Sequence, residues 1–414
     1  MDSGVSYVGT RLPQGVVRRG VGADRRPRVM FVSSERPATP GGMERHALRL
    51  AAGLHPYASA LVFACPGKSS TEELAHEAGL DTIPYELRHT SDLKGAWCLA
   101  KAIRRHGIDI VHVHARRDFF PCVLAILMRC LVDFSFRHRP KLVLHCHQIS
   151  NLARQTALTK LLFTLFADRV YGVSQAVCDR LNQRDLIVPR QAIRLLYNGI
   201  DTTRYSLSIE KTVSFRQYYR RLWGIDEDAP VIGTIGRIYD KGQETILDLM
   251  PRLLEHVPNL KYVAIGPDKD LDNTIDKFRR EVDARKLTNA VIVPGPSRND
   301  VPDMLNAFDC VIQLPQYEAF GLVLIEAGAA GLPVIVGDVG GCREVVQQDV
   351  NGLLVPSGDA DAIVAAVARL FDPVSGEGER LRLGRAGREI TANRFSLDDR
   401  ILELALDYNS LCRI

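Results

Sequence analysis

Short runs of residues that are apolar on both faces recur along this chain. Each is followed by a segment with apolar positions at helical spacing, and the whole alternation occurs twice. In the first half the runs fall at 27–34, 58–64, 109–114, 141–147 and 169–173. In the second they fall at 231–235, 262–265, 290–293, 310–312, 334–336 and 353–355. Strands without a polar face need cover on both sides, and helices placed between them force parallel connections. The expected fold is α/β: two Rossmann-like, doubly wound domains in tandem, facing a central cleft. Ligands of such sheets sit beyond the carboxyl ends of the strands.

A length of 414 residues exceeds one ordinary core. The expected divisions are a flexible lead over 1–27, a first domain over 28–205 and a linker over 206–228. A second domain follows over 229–394, and the last helix, 395–414, is free to pack back on the first. Residues 1–28 carry six arginines and no apolar core, so no signal peptide is expected there. Nine cysteines, scattered and with no C-x-x-C pair, point to free thiols in a reducing compartment and exclude a disulfide frame or a zinc knuckle. Net charge is only +4, with no dense basic block, so nucleic acid is not an expected partner. The most lipid-like stretch, 119–136, opens on Pro121 and contains Arg129 and Asp133. That makes it a buried or membrane-facing helix rather than a span.

Several loops could carry chemistry. Gly41-Gly42-Met43-Glu44 follows the first strand and opens a helix, where two glycines let backbone N–H groups approach a phosphate. An unliganded glycine turn explains the same residues. Cys65-Pro66-Gly67-Lys68-Ser69-Ser70 mimics the tail of a P-loop, but Val62 stands where the leading glycine belongs. His112 with His114, and His145 with His147, alternate along two strands. A metal would need a third ligand that the sequence does not identify, so core or cleft-lip histidines are the preferred reading, with His147 at a strand end. Arg237 and Lys241 lie in a loop between a strand and a helix, suited to a diphosphate as a planar fork and a point charge. Glu318 and Glu326 bracket an almost wholly apolar stretch, where a carboxylate needs polar partners such as sugar hydroxyls.

Glu318 and Glu326, followed by Gly331-Leu332-Pro333, Gly340-Gly341, Glu344 and Asn351-Gly352-Leu353-Leu354, resemble the retaining glycosyltransferases of the GT-B fold, closest to family four. Gly41-Gly42-Met43-Glu44, His147 and Asn198-Gly199-Ile200-Asp201 match that family's other landmarks, so the resemblance runs over about 28–395 in motif order. It implies transfer of a sugar from a nucleotide-sugar, UDP- or GDP-linked, to a hydroxyl of a sugar, lipid-linked or small-molecule acceptor. The first domain would then take the acceptor and the second the donor.

The resemblance also implies a catalytic set of His147, Glu318, Arg237 and Lys241. Donor-binding positions are Gly41, Gly42, Arg237, Lys241, Gly321, Leu322, Val323 and Glu326. Glu326 would hold the ribose, Glu318 the transferred sugar, and His147 would sit near the reacting carbon. No cofactor beyond the nucleotide-sugar co-substrate is expected, and no metal. Three departures from the pattern stand out: a spacing from Arg237 to Lys241 shorter by one, Leu314-Pro315 before the first glutamate, and Gln148 after His147. A sugar phosphorylase, a nucleotide-sugar epimerase and a silent partner subunit on the same fold are the alternatives. The location expected is cytoplasmic. Lys211, Arg216, Arg220 and Arg221, with Phe215, Tyr218, Tyr219 and Trp223, raise peripheral contact with the inner membrane face against the simpler reading of a solvated connector helix.

Overall fold

The computed structural model of the chain describes residues 26–35, 41–89, 92–134, 139–147, 157–183, 188–267, 273–296 and 300–412. Two units emerge, one of residues up to Gly199 together with Leu397 onward, the other of Ile200–Ser396. The lead over 1–25 and Gln148 lie outside the described residues.

The first unit is built on a parallel sheet of β1 (Arg28–Val32), β2 (Ala60–Cys65), β3 (Asp81–Pro84), β4 (Ile110–Val113), β5 (Lys141–Cys146), β6 (Ala167–Gly172) and β7 (Ile193–Leu195). Its order is β3-β2-β1-β4-β5-β6-β7. β1 and β4 are neighbours, and the chain winds outward from them in both directions, which makes the carboxyl ends of these two strands the switch point. The sequence pattern did not announce β3 or β7. Both are edge strands with partly exposed residues, so neither is a continuous apolar run. The lipid-like stretch forms the helix Arg116–Val132, which buries Phe119, Cys122, Val123 and Ile126 within this unit. Among the described residues no helix is long and apolar enough to cross a membrane. The terminal helix Leu397–Cys412 belongs to this unit, where Arg169 pairs with Asp407 at 2.9 Å and the Tyr171 hydroxyl donates to Asp407 at 2.6 Å.

The second unit carries β8 (Val231–Ile235), β9 (Lys261–Ile265), β10 (Val291–Gly295), β11 (Cys310–Gln313), β12 (Val334–Gly337) and β13 (Gly352–Val355), all parallel. The order β10-β9-β8-β11-β12-β13 puts its switch point between β8 and β11.

The segment 206–228 is not a linker. It contains the helix Ile209–Leu222, which is part of the second unit, so the division falls at Gly199 rather than at 205. Of its basic and aromatic residues Tyr219 and Arg220 are buried, Phe215, Arg216 and Trp223 are half-buried, and Lys211, Tyr218 and Arg221 are exposed. Arg220 is 1% exposed, reaches the Asp309 carboxylate at 2.9 Å and donates to the carbonyls of Ala307, Asp226, Glu227 and Ala229. Arg216 binds the other Asp309 oxygen at 2.8 Å, the Tyr219 hydroxyl donates to Asp300, and Trp223 stacks on Phe308. Arg216 and Arg220, bound to the Asp309 carboxylate and to carbonyls, are thereby withdrawn from the basic surface, while Lys211 and Arg221 stay on it.

Candidate active site

The loop after β8 and the loop after β11 meet at the switch point of the second unit. The Leu314 N–H donates to the Lys241 carbonyl at 2.8 Å, and the Gln313 side chain donates to the Ile235 carbonyl at 2.9 Å. Gly242 opens the helix Gln243–His256 at φ 79°, and a Cβ there would lie 2.3 Å from the Leu314 carbonyl oxygen. Only glycine lets the two loops approach so closely. Gln243, fully buried, then holds the first loop from below. Its Oε1 accepts from the Lys241 N–H at 2.9 Å and its amide donates to the Arg237 carbonyl at 3.0 Å.

This scaffold brings Lys241 to Glu318, whose carboxylate forms a hydrogen-bonded ion pair with the lysine ammonium; both side chains are partly buried. Arg237 does not share that partner. It pairs with Asp240 at 2.9 Å and remains 52% exposed, a contact worth little in water. Glu318 is also held through its backbone: its carbonyl accepts from the Gly341 N–H at 3.0 Å. Gly340, at φ 47°, lies so near that a Cβ would stand 2.1 Å from that same carbonyl oxygen.

Gly321, at φ 92°, then begins the helix Leu322–Ala330 without a side-chain cap. A helix start leaves backbone N–H groups unsatisfied within the helix and adds positive partial charge, so the turn at Gly321, Leu322 and Val323 is suited to an anion. Glu326 sits on the same helix, partly buried. Four of the expected donor residues and the expected sugar-binding Glu318 thus lie along one stretch beyond β11.

In the first unit Gly41 caps the helix Gly42–Gly53, which follows the end of β1 as expected, while the residues at 36–40 lie outside the described ones. His147 follows β5, and burial pushes its imidazole down to about 3, so it is neutral at physiological pH. Its Nε2 lies 3.1 Å from His114 Nδ1. The P-loop mimic is a helix cap: Ser69 accepts from the Glu72 N–H, and the Lys68 N–H donates to the Glu72 carboxylate. All nine cysteines are free thiols.

Sequence reasoning missed Gln243, whose role depends on a loop it contacts only after folding. It also missed Asp118, which is fully buried, accepts from the Ser34 N–H at 2.9 Å and from the Tyr85 hydroxyl at 3.3 Å, and is pushed up to about 6 by burial. A lone acidic residue in the first turn of a helix carries no mark of either partner.

Two family models match successive stretches of the chain: Glycosyltransferase Family 4 over residues 40–204 and Glycosyl transferases group 1 over residues 215–390. The chain belongs to the family-four glycosyltransferases, and its fold is GT-B. It is 28% identical to the lipopolysaccharide core biosynthesis mannosyltransferase LpsB of Rhizobium meliloti over 74% of this chain and 84% of that protein. It is 32% identical to an uncharacterized glycosyltransferase of Methanocaldococcus jannaschii over 48% of this chain, a match spanning 49% of that protein's length. Among solved structures, Anabaena HepE in complex with UDP and glucose superposes with a TM-score of 0.77 at 20% identity, covering 93% of this chain and all of that one.

Proposed function

We propose that the protein transfers a sugar, with retention at the anomeric carbon, from a UDP- or GDP-sugar to an acceptor hydroxyl in glycan or glycolipid synthesis. The observation that carries this reading is the Lys241–Glu318 pair at the switch point, immediately before the uncapped helix start at Gly321. A cation, a carboxylate and free helix amides within one loop system are what a sugar diphosphate requires. Lys241 and Arg237 take the diphosphate, the amides of Leu322 and Val323 add to its binding, Glu326 holds the ribose hydroxyls, and Glu318 holds hydroxyls of the sugar. The bond from the anomeric carbon to the phosphate oxygen breaks and the acceptor oxygen bonds to that carbon. The acceptor proton passes to the departing phosphate. The cations act by stabilising charge that grows on the leaving group, and positioning supplies most of the remainder.

In this reading the first unit binds the acceptor, with Gly41 and Gly42 offering backbone N–H groups to phosphate and neutral His147 standing by the reacting carbon. No divalent ion is needed at the diphosphate, since its charge is met by side chains. The names of the relatives support a role in lipopolysaccharide-type synthesis, and the UDP and glucose in the Anabaena structure support a nucleotide-sugar donor. A cytoplasmic place of work accords with nine cysteines that form no disulfide.

The test is incubation with a panel of sugar nucleotides, scored for nucleoside diphosphate release with and without acceptor mixtures, followed by proton NMR of the product's anomeric configuration. Acceptor-dependent release with a retained configuration is expected. An inverted product would overturn the retaining assignment, and isomerised sugar without an acceptor would favour an epimerase. Calorimetry with nucleoside diphosphate should give the same affinity in EDTA and in magnesium.

A further inference from the structure

Period-two alternation on the paired strands β4 and β5 stacks His112, His114, His145 and His147 on one sheet face, with the register His112 to Val143 carrying His114 toward His145. The first three are at most 2% exposed. Ring centroids of His112 and His114 are 4.5 Å apart, those of His114 and His145 5.3 Å, and those of His112 and His145 5.5 Å. One ring nitrogen from each of these three lies within 4.8 Å of the others. The third histidine that the sequence could not supply therefore arrives through strand pairing.

The hydrogen bonding of these rings is lopsided. His112 is bonded through Nδ1 to the Tyr408 hydroxyl, and its Nε2 is buried without a partner. His114 is bonded through Nδ1 to His147 Nε2, and its Nε2 is likewise buried and unpartnered. Both ring nitrogens of His145 are buried and unpartnered. A histidine that ligates a metal characteristically uses one nitrogen for the ion and donates its other N–H to an outer partner, which fixes the tautomer. Tyr408 and His147 occupy those outer positions. Leaving so many buried nitrogens unbonded is costly unless something fills the space between them.

We propose that His112 Nε2, His114 Nε2 and a ring nitrogen of His145 bind one divalent cation of the zinc class. Imidazole ligands suit zinc and its first-row neighbours, and a three-histidine set leaves a fourth position for water. Zinc–nitrogen bonds of about 2.0–2.1 Å draw tetrahedral ligands to about 3.3 Å from one another, so loading pulls the rings together. The site lies within the first unit, and its outer partner His147 is the residue assigned above to the reacting carbon. In the loaded state His114 Nδ1–H donates to His147 Nε2, which sets the His147 tautomer.

The experiment uses the full chain, expressed in zinc-supplemented medium because the site is buried, and measures metal content as purified. It is then stripped and refolded with cobalt. One zinc per chain, and a visible cobalt absorption of tetrahedral type, are expected for the wild type and for the exposed-histidine control His55→Gln. His114→Gln and His145→Gln should abolish both signals, and Tyr408→Phe should weaken cobalt binding about 10–100-fold. X-ray absorption at the zinc edge of the wild type should show imidazole scattering and no sulfur, a reading that stands even if the histidine variants fail to fold. A wild type without stoichiometric zinc or the cobalt band overturns the site, as does metal retained in folded His114→Gln and His145→Gln or a sulfur-ligated ion.

Discussion

The Lys241 ammonium is paired with the Glu318 carboxylate, across 77 residues of sequence, where the loops after β8 and β11 are tied together. In the proposed reaction these two groups serve different parts of one donor, the lysine its diphosphate and the glutamate its sugar. Their pairing neutralises both charges at the switch point.

The pair can be separated by truncation. Lys241→Ala should weaken nucleoside diphosphate binding by about 1.5–3 kcal/mol, the worth of a charged hydrogen bond. Glu318→Ala should lower turnover while leaving diphosphate affinity unchanged or higher, because it frees the lysine. Glu326→Ala should weaken the diphosphate itself by about 1–3 kcal/mol through lost ribose contacts. Titration calorimetry distinguishes the three; equal losses at Glu318 and Glu326 would contradict their separate roles.

Gly340→Ala should disturb Glu318 through its backbone. The substitution sets a Cβ against the Glu318 carbonyl oxygen and places alanine at φ 47°. The left-handed conformation alone costs about 1–2 kcal/mol, before the steric overlap is counted. Turnover should fall much further than nucleoside diphosphate affinity. Unchanged kinetics in a folded variant would show that the glycine pair does not hold the loop.

Arg220→Ala should destabilise the second unit by about 3–5 kcal/mol, because it strands part of the Asp309 carboxylate and four carbonyls. Arg221→Ala, on an exposed position of the same helix, should be nearly neutral. Urea unfolding followed by Trp223 fluorescence measures both. Equal midpoints would restore the segment to the status of a connector.

Asp118 gives a pH dependence of definite sign. Its folded value of about 6 lies above the usual 3.8, so between those values the native protein holds a proton that the unfolded chain has released. Stability from this group is full below about pH 4 and is lost as pH rises through about 6, a loss of roughly 2–3 kcal/mol. Asp118→Asn should flatten that limb of the stability profile. Unfolding measured across pH 4–7 should therefore show a falling component in the wild type that the variant lacks.

Much of the fold was legible because buried parallel strands must be apolar on both faces, and the central strands of both sheets announced themselves that way. β3 and β7 did not, since both are short and partly exposed rather than apolar on both faces. The segment 206–228 misled for a related reason: Arg216 and Arg220 look like solvent-facing cations until Asp309 and the carbonyls around it are brought beneath them.

The sequence by itself determined the tandem α/β pattern, the glycine-marked loops and the spacing of Glu318 and Glu326, because backbone conformation and strand burial restrict residue type locally. Only the tertiary structure decided which charges meet. Lys241 finds Glu318, Gln313 reaches the Ile235 carbonyl, Arg220 finds Asp309, and His145 joins His112 and His114. These are contacts between residues far apart in the chain, and their partners are chosen by sheet order and register, which no local pattern encodes.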